Sequence, residues 1–256
     1  MGDQPELRQP VIGIARRRVR RLAAAFSVWL ALITPRAKAC GVSASGVSSC
    51  SLAEHDEAVR PRWVAFVSGL YTVTRLRFSG SLYADQVRYA TLASLAYLPT
   101  PKLALQAGAG VAFGGSLTLP DGKYQFSPGP TGVLGADYRI LDDGRYFLVL
   151  TSGLSFAFAR THLGAERSVG YEAFDLRLGA QLGVELAHVF RPYVLARAFG
   201  GPIFWRHQAE SVDGTDTHHY QFGVGGSVRL ANTLSVFAEG VPLGERAVSF
   251  GVGLAL

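Results

Sequence analysis

The chain has 256 residues, a formal net charge of +6, 48% hydrophobic residues and 17% charged residues. That is poorer in charge than the roughly 25% of an ordinary soluble domain and too apolar for intrinsic disorder, yet no apolar run reaches the ~18 residues of a membrane helix. The basic excess lies wholly in residues 1–39, with eight Arg/Lys against two acids, while the other 217 residues carry seventeen of each sign, which removes the electrostatic case for a nucleic-acid partner.

Residues 1–39 read as an export signal removed on maturation. Arg16-Arg17-Arg18-Val19-Arg20-Arg21 is the basic region, Leu22 to Thr34 the apolar region, and Ala37-Lys38-Ala39 a small-x-small cleavage site after Pro35. As a helix, thirteen residues cover only about 20 Å, short of a ~30 Å bilayer core. Cleavage makes Cys40 the first mature residue. Lipidation of Cys40 is one expectation, although Lys38 fits a lipoprotein signal badly. The other is a Cys40–Cys50 disulfide closing a Ser/Gly loop in an oxidising compartment. Two cysteines without a His pair make no zinc site. Residues 40–62 form a short polar periplasmic segment, in which Glu54, His55, Asp56 and Glu57 are a solvated charge run.

From Trp63 onward the period is two, and ten strands are expected: 63–78, 86–98, 103–114, 131–141, 146–160, 172–186, 192–206, 219–230, 233–241 and 248–256. In 172–186, Phe174, Leu176, Leu178, Ala180, Leu182, Val184 and Leu186 oppose Asp175, Arg177, Gly179, Gln181, Gly183 and Glu185. In 219–230, Tyr220, Phe222, Val224, Val228 and Leu230 oppose Gln221, Gly223, Gly225, Ser227 and Arg229. The 63–78 and 192–206 segments do not alternate cleanly. Short turns at 99–102, 142–145, 188–191 and 231–233 alternate with longer connections at 79–85, 119–130, 161–170, 207–218 and 242–246.

One face of these strands is apolar and uncharged. A soluble barrel would show a Lys/Glu-dense exterior, whereas Lys102 and Lys123 are the only lysines after Lys38. Lipid contact fits such a face, and closure is then compulsory, because hydrocarbon cannot satisfy unpaired backbone groups. Trp63, Tyr89, Tyr97, Tyr138, Tyr146, Tyr171, Trp205 and Tyr220, near strand ends, are candidates for interfacial girdles.

Over 63–256, together with the leader, the chain resembles the small bacterial outer-membrane β-barrel proteins. The fold class expected is all-β: a closed antiparallel up-and-down transmembrane barrel of about ten strands. The resemblance implies residence in the bacterial outer membrane, with outer-membrane lipid and the barrel insertion machinery as partners and an extracellular ligand left unnamed. It also implies a C-terminal aromatic residue, where this chain has Leu256.

Strand phase turns Arg88, Asp137, Arg139, Asp175, Arg177, Glu185, Arg197, Arg229 and Glu239 inward. Two readings of these charges stand: a salt-bridged plug, or a narrow porin-like pore. The functions expected are accordingly pore or transport, or a structural or surface-binding platform. A hydrolase at the extracellular rim, protease or lipid-modifying, would draw on Asp213, Asp216, His218 and His219. A soluble periplasmic ligand-binding barrel is the third alternative. No residue is assigned a catalytic role. No metal and no cofactor are expected, since nucleotide, zinc and nucleophile-elbow motifs are missing from the sequence.

Overall fold

The computed structural model describes residues 41–42, 48–49 and 63–256, apart from 80–81, 165–167, 188 and 208–209. The leader, both cysteines and most of the 40–62 segment lie outside the described residues. β1 (Gly41–Val42) and β2 (Ser48–Ser49) form a two-stranded pair. The remaining strands are β3 (Trp63–Phe78), β4 (Leu82–Thr100), β5 (Leu103–Leu119), β6 (Gly122–Phe126), β7 (Gly129–Asp142), β8 (Tyr146–His162), β9 (Val169–Val184), β10 (Phe190–Gly200), β11 (Ile203–His207), β12 (Glu210–Asp216), β13 (Tyr220–Arg229), β14 (Leu234–Gly244) and β15 (Arg246–Ala255).

Ten of these strands close a ring in the order β3, β4, β5, β7, β8, β9, β10, β13, β14, β15. Closure is antiparallel, with β15 on β3 running from Arg246↔Val73 to Ala255↔Val64. The ten expected strands are these ten, and the turns at their lower ends are the short ones expected. One of them runs from Asp142 to Arg145. There Gly144 takes a positive φ of 83°, and Asp143 Oδ1 accepts from the backbone N–H of Arg145 at 3.0 Å and of Tyr146 at 2.6 Å. Those two bonds hold the exposed Asp143 carboxyl below its ordinary range.

The upper connections differ from expectation. Much of 82–85, 122–126, 161–162 and 210–216 is strand rather than loop. β6 continues the β7 arm between β5 and β8, as in Ser116↔Gln125 and Gln125↔His162. β11 continues β10 along β9. The β14–β15 hairpin stops at Glu245, and above it β12 pairs directly with β3 through Gly214↔Phe78, Thr215↔Arg77 and Asp216↔Leu76. The barrel therefore has ten strands below and eight above: β3, β4, β5, β6, β8, β9, β11 and β12. Gly244 makes this narrowing possible. Its φ is 86°, and a Cβ there would lie 1.7 Å from the Tyr220 carbonyl oxygen.

The outward face is apolar along the ten-stranded part, with Val67, Leu105, Leu134, Leu154, Leu178, Val194 and Val224 all exposed. Aromatic girdles bound this belt. The lower one holds Trp63 against Tyr97, with Tyr138 and Tyr146. The upper one holds Tyr71, Tyr89 and Phe113 in succession, with Tyr220 beside Phe222. A closed sheet with an apolar belt between aromatic girdles is a transmembrane barrel of the outer-membrane type. Two girdle candidates are misplaced by the sequence reading: Tyr171 and Trp205 point inward and are 1% exposed.

The interior holds a surprise for a period-two reading. In the eight-stranded ring much of the inward face is apolar too. Leu76, Phe78, Leu117, Phe126, Tyr171 and Trp205 pack into one cluster across it. Trp205 stands edge-on to Tyr124 at 5.1 Å and donates through Nε1 to Thr161 Oγ1 at 2.9 Å. Lower down, Val64, Phe66, Ala96 and Phe237 form a second cluster, and Tyr193, Leu195, Val241 and Ala247 a third. These inward Tyr, Leu and Phe side chains explain why 63–78 and 192–206 lack clean alternation. β1 lies beside β14 and β15, and β2 beside β7 on the opposite wall.

Candidate functional site in the barrel lumen

Of the nine charges named from the sequence, Asp137, Arg139, Arg197 and Glu239 are buried, Arg88, Asp175 and Arg177 line a cavity in the lumen, and several of them are paired. Arg197 and Glu239 form a two-pronged pair at 2.8 and 3.0 Å, both side chains essentially without exposure. Tyr193 Oη donates to Glu239 Oε2 at 3.0 Å and completes that carboxylate. Arg139 pairs with Asp142 at the lower turn. Glu185 pairs with Arg191 rather than with another of the nine. Asp137 is 2% exposed, and Arg229, on the inward face of β13, is partly buried.

A second group lies higher, below the apolar cluster. Arg177 on β9 is held by Asp175 on the same strand and by Glu245 at the β14–β15 tip, the latter at 3.0 Å. Gln221 Nε2 donates to Glu245 Oε2 at 2.6 Å. Thr74 Oγ1 donates to Asp216 Oδ1 at 2.7 Å. Arg177 also lies 5.2 Å over the Phe199 ring. Across the lumen, Arg88 on β4 has no acidic partner among the described residues. Its guanidinium packs against the rings of Phe126 and Tyr171, at 5.2 and 5.6 Å, which themselves meet edge to face at 5.0 Å. Tyr171 Oη donates to Gln86 Oε1 at 3.2 Å. A cavity of about 140 Å³ separates the two sides, lined by Arg88, Asp175, Arg177, Asp216 and Glu245 among others.

Glu245 and Asp216 stand above the outer girdle, because Arg246 pairs with Val73 and Asp216 with Leu76, both beyond Tyr71 along β3. Burial pushes the Glu245 carboxyl up to about 7, with Arg177 opposing and Asp216 adding to the rise. Burial likewise raises Asp216 to about 6, against the Thr74 hydrogen bond.

Arg191 and Glu245 were missed by sequence reasoning because 188–191 and 242–246 read as connections. The signal that finds Glu245 is negative: a charged residue in a hairpin tip too short to leave the barrel. Asp216 read as a rim residue because 207–218 looked like a loop.

The four rim candidates do not form one site. Asp216 is inside. Asp213 is exposed on β12, opposite Phe204. His218 Nδ1 is 3.0 Å from Thr217 Oγ1, and its ring stands against Tyr220. His219 Nδ1 is 3.2 Å from the Phe199 carbonyl oxygen. Among the described residues neither imidazole has a carboxylate hydrogen-bond partner, and these four residues do not come together as an Asp/His pair. No group of three or more His, Cys, Asp or Glu able to hold a metal ion occurs among the described residues.

No family model matches the chain, and no curated protein matches it. Solved structures do resemble it. The outer membrane protease OmpT from Escherichia coli is 12% identical with a TM-score of 0.49, covering 76% of this chain and 96% of its own. The translocator domain of the autotransporter NalP from Neisseria meningitidis is 12% identical with a TM-score of 0.42, covering 94% and 96%. An outer membrane channel from Pseudomonas putida F1 is 11% identical with a TM-score of 0.40, covering 77% and 96%. At these values the likenesses say nothing of activity, and the barrel assignment rests on the closed ring and its apolar belt.

Proposed function

We propose that this chain is a bacterial outer-membrane barrel with an occluded lumen, acting as a structural or surface-presenting platform rather than as an open pore. The observation that carries this reading is the apolar cluster around Trp205, Tyr171 and Phe78 inside the eight-stranded ring. Water and ions crossing the barrel would have to pass through packed side chains, and a packed apolar interior holds few voids as large as one water. The Arg197–Glu239–Tyr193 group adds a polar bar beneath it. The eight-stranded ring then presents the chain to the exterior.

The test is conductance. Protein whose insertion is verified by a heat-dependent gel shift should give no unitary current steps in planar bilayers above the background of empty vesicles. Stable ohmic steps would sink the reading and restore the pore. The same reading includes export by residues 1–39 and a Cys40–Cys50 bridge. Intact mass of the membrane-extracted protein should begin at Cys40, unlipidated, with no thiol reactive to alkylation before reduction.

A further inference from the structure

We propose that the chamber beneath the apolar cluster is a binding site for a small zwitterion of the α-amino acid class. The chamber has two chemically opposite walls. On the β4 side stands Arg88, packed against both Phe126 and Tyr171, with its Nη2 buried and no hydrogen-bond partner among the described residues. On the β9 side stand Asp175, Asp216 and Glu245 around a single guanidinium, Arg177. One oxygen of Asp175, Oδ1, is likewise buried and without a hydrogen-bond partner among the described residues. Both open positions line the same cavity of about 140 Å³.

Each wall lacks what a zwitterion brings. A buried guanidinium without an anion is costly, and a carboxylate is its best-matched planar partner. The acidic wall sets three carboxyl groups against the single positive charge of Arg177, with one hydrogen bond from Thr74 to Asp216, and an ammonium group would supply further positive charge and donors. The size fits as well, since a cavity near 150 Å³ accepts a molecule of about six heavy atoms such as benzene. A few convergent polar groups in a mostly apolar recess are the usual makeup of a small-molecule site. A lone anion would leave the acidic wall unanswered, and a lone cation would be repelled by Arg88.

The probe is L-alanine, present throughout refolding of the full chain into phospholipid vesicles, so that slow entry does not limit the result. Equilibrium dialysis with labelled L-alanine should show saturable binding of about one molecule per chain. Acetate or ethylamine alone, at equal concentration, should compete at least tenfold more weakly. Arg88→Met and Asp175→Asn, each checked for native heat-dependent gel mobility, should weaken binding at least tenfold. Absence of saturable binding overturns the proposal. So does undiminished binding in the folded Asp175→Asn protein, or competition by acetate as strong as by L-alanine, which would make Arg88 a simple anion site. The measurement does not involve conduction, so its failure leaves the occlusion reading standing, and the reverse holds too.

Discussion

At the residue scale the lumen is governed by the cost of burying charge. Arg197 and Glu239 lose essentially all contact with solvent and satisfy one another through two hydrogen bonds. Removing one partner strands the other, which typically costs about 3–5 kcal/mol, whereas replacing both by apolar groups is often neutral. Arg197→Met should therefore lower the urea midpoint in vesicles sharply, while Arg197→Met with Glu239→Leu should recover most of the loss. Glu245 gives a pH signature. Its folded-state pKa of about 7 lies above its ordinary value of 4.5, so the folded protein binds this proton more tightly than the unfolded chain. Stability is then greatest below the ordinary value and is lost as pH rises through about 7. Asp216 acts in the same sense up to about 6. Asp143, held low by backbone donors, has the opposite sign but acts only at lower pH. The urea midpoint should fall between pH 5 and pH 8, and Glu245→Gln should remove most of that fall. A midpoint that rises over this range, or a slope unchanged by Glu245→Gln, would count against the assignment. None of these partners was readable from strand phase alone. Phase tells which way a side chain points, but the partner depends on stagger between strands, which sequence does not display.

At the element scale the decisive feature is that two long arms outlast a short hairpin. β14 and β15 end at Glu245, and the β12 arm bridges to β3 above them. The ring shrinks by two strands, and the smaller circumference lets side chains meet across it. Trp205 is the centre of that contact, touching Phe78 and Tyr124 and bonded to Thr161. Trp205→Ala should cost about 3–5 kcal/mol, confined to the upper ring. Hydrogen exchange should quicken in β6, β11 and β12 and stay slow in β13 to β15; uniform loosening of all strands would contradict an independent upper ring. Sequence reveals strands where the two faces differ, and so 172–186 and 219–230 stand out. It fails where both faces are apolar, as on β10 with Tyr193, Leu195 and Phe199 turned inward, and where a strand carries polar residues above the belt, as in 210–216. Those upper extensions carry Asp85 on β4 and Asp213 on β12 outside, a polarity that resembles loop.

At the scale of the whole molecule, the girdles set the thickness of membrane the barrel fits. Trp63 at the lower girdle and Tyr71 at the upper are both outward residues of β3. Eight residues of strand at about 3.3 Å each, tilted by roughly 40°, rise about 20 Å. On β8, Phe156 begins a further row of aromatic rings with Phe158 and Phe174, and the span to it from Tyr146 is two residues longer, about 25 Å by the same geometry. Beyond Tyr71 the outward face of β3 becomes Arg75 and Arg77, side chains that hydrocarbon does not solvate. A bilayer thicker than the belt must either thin locally or draw these arginines into the acyl region, each at a cost that grows per ångström of mismatch. Folding yield, read as the heat-shifted gel band, should be highest in vesicles whose hydrocarbon core is about 20–25 Å, by that same strand geometry, and fall steadily as acyl chains lengthen. Arg75→Leu with Arg77→Leu would extend the apolar face of β3 upward and should shift the optimum to thicker bilayers. A yield indifferent to acyl length, in both proteins, would mean that the girdles do not mark the lipid boundary.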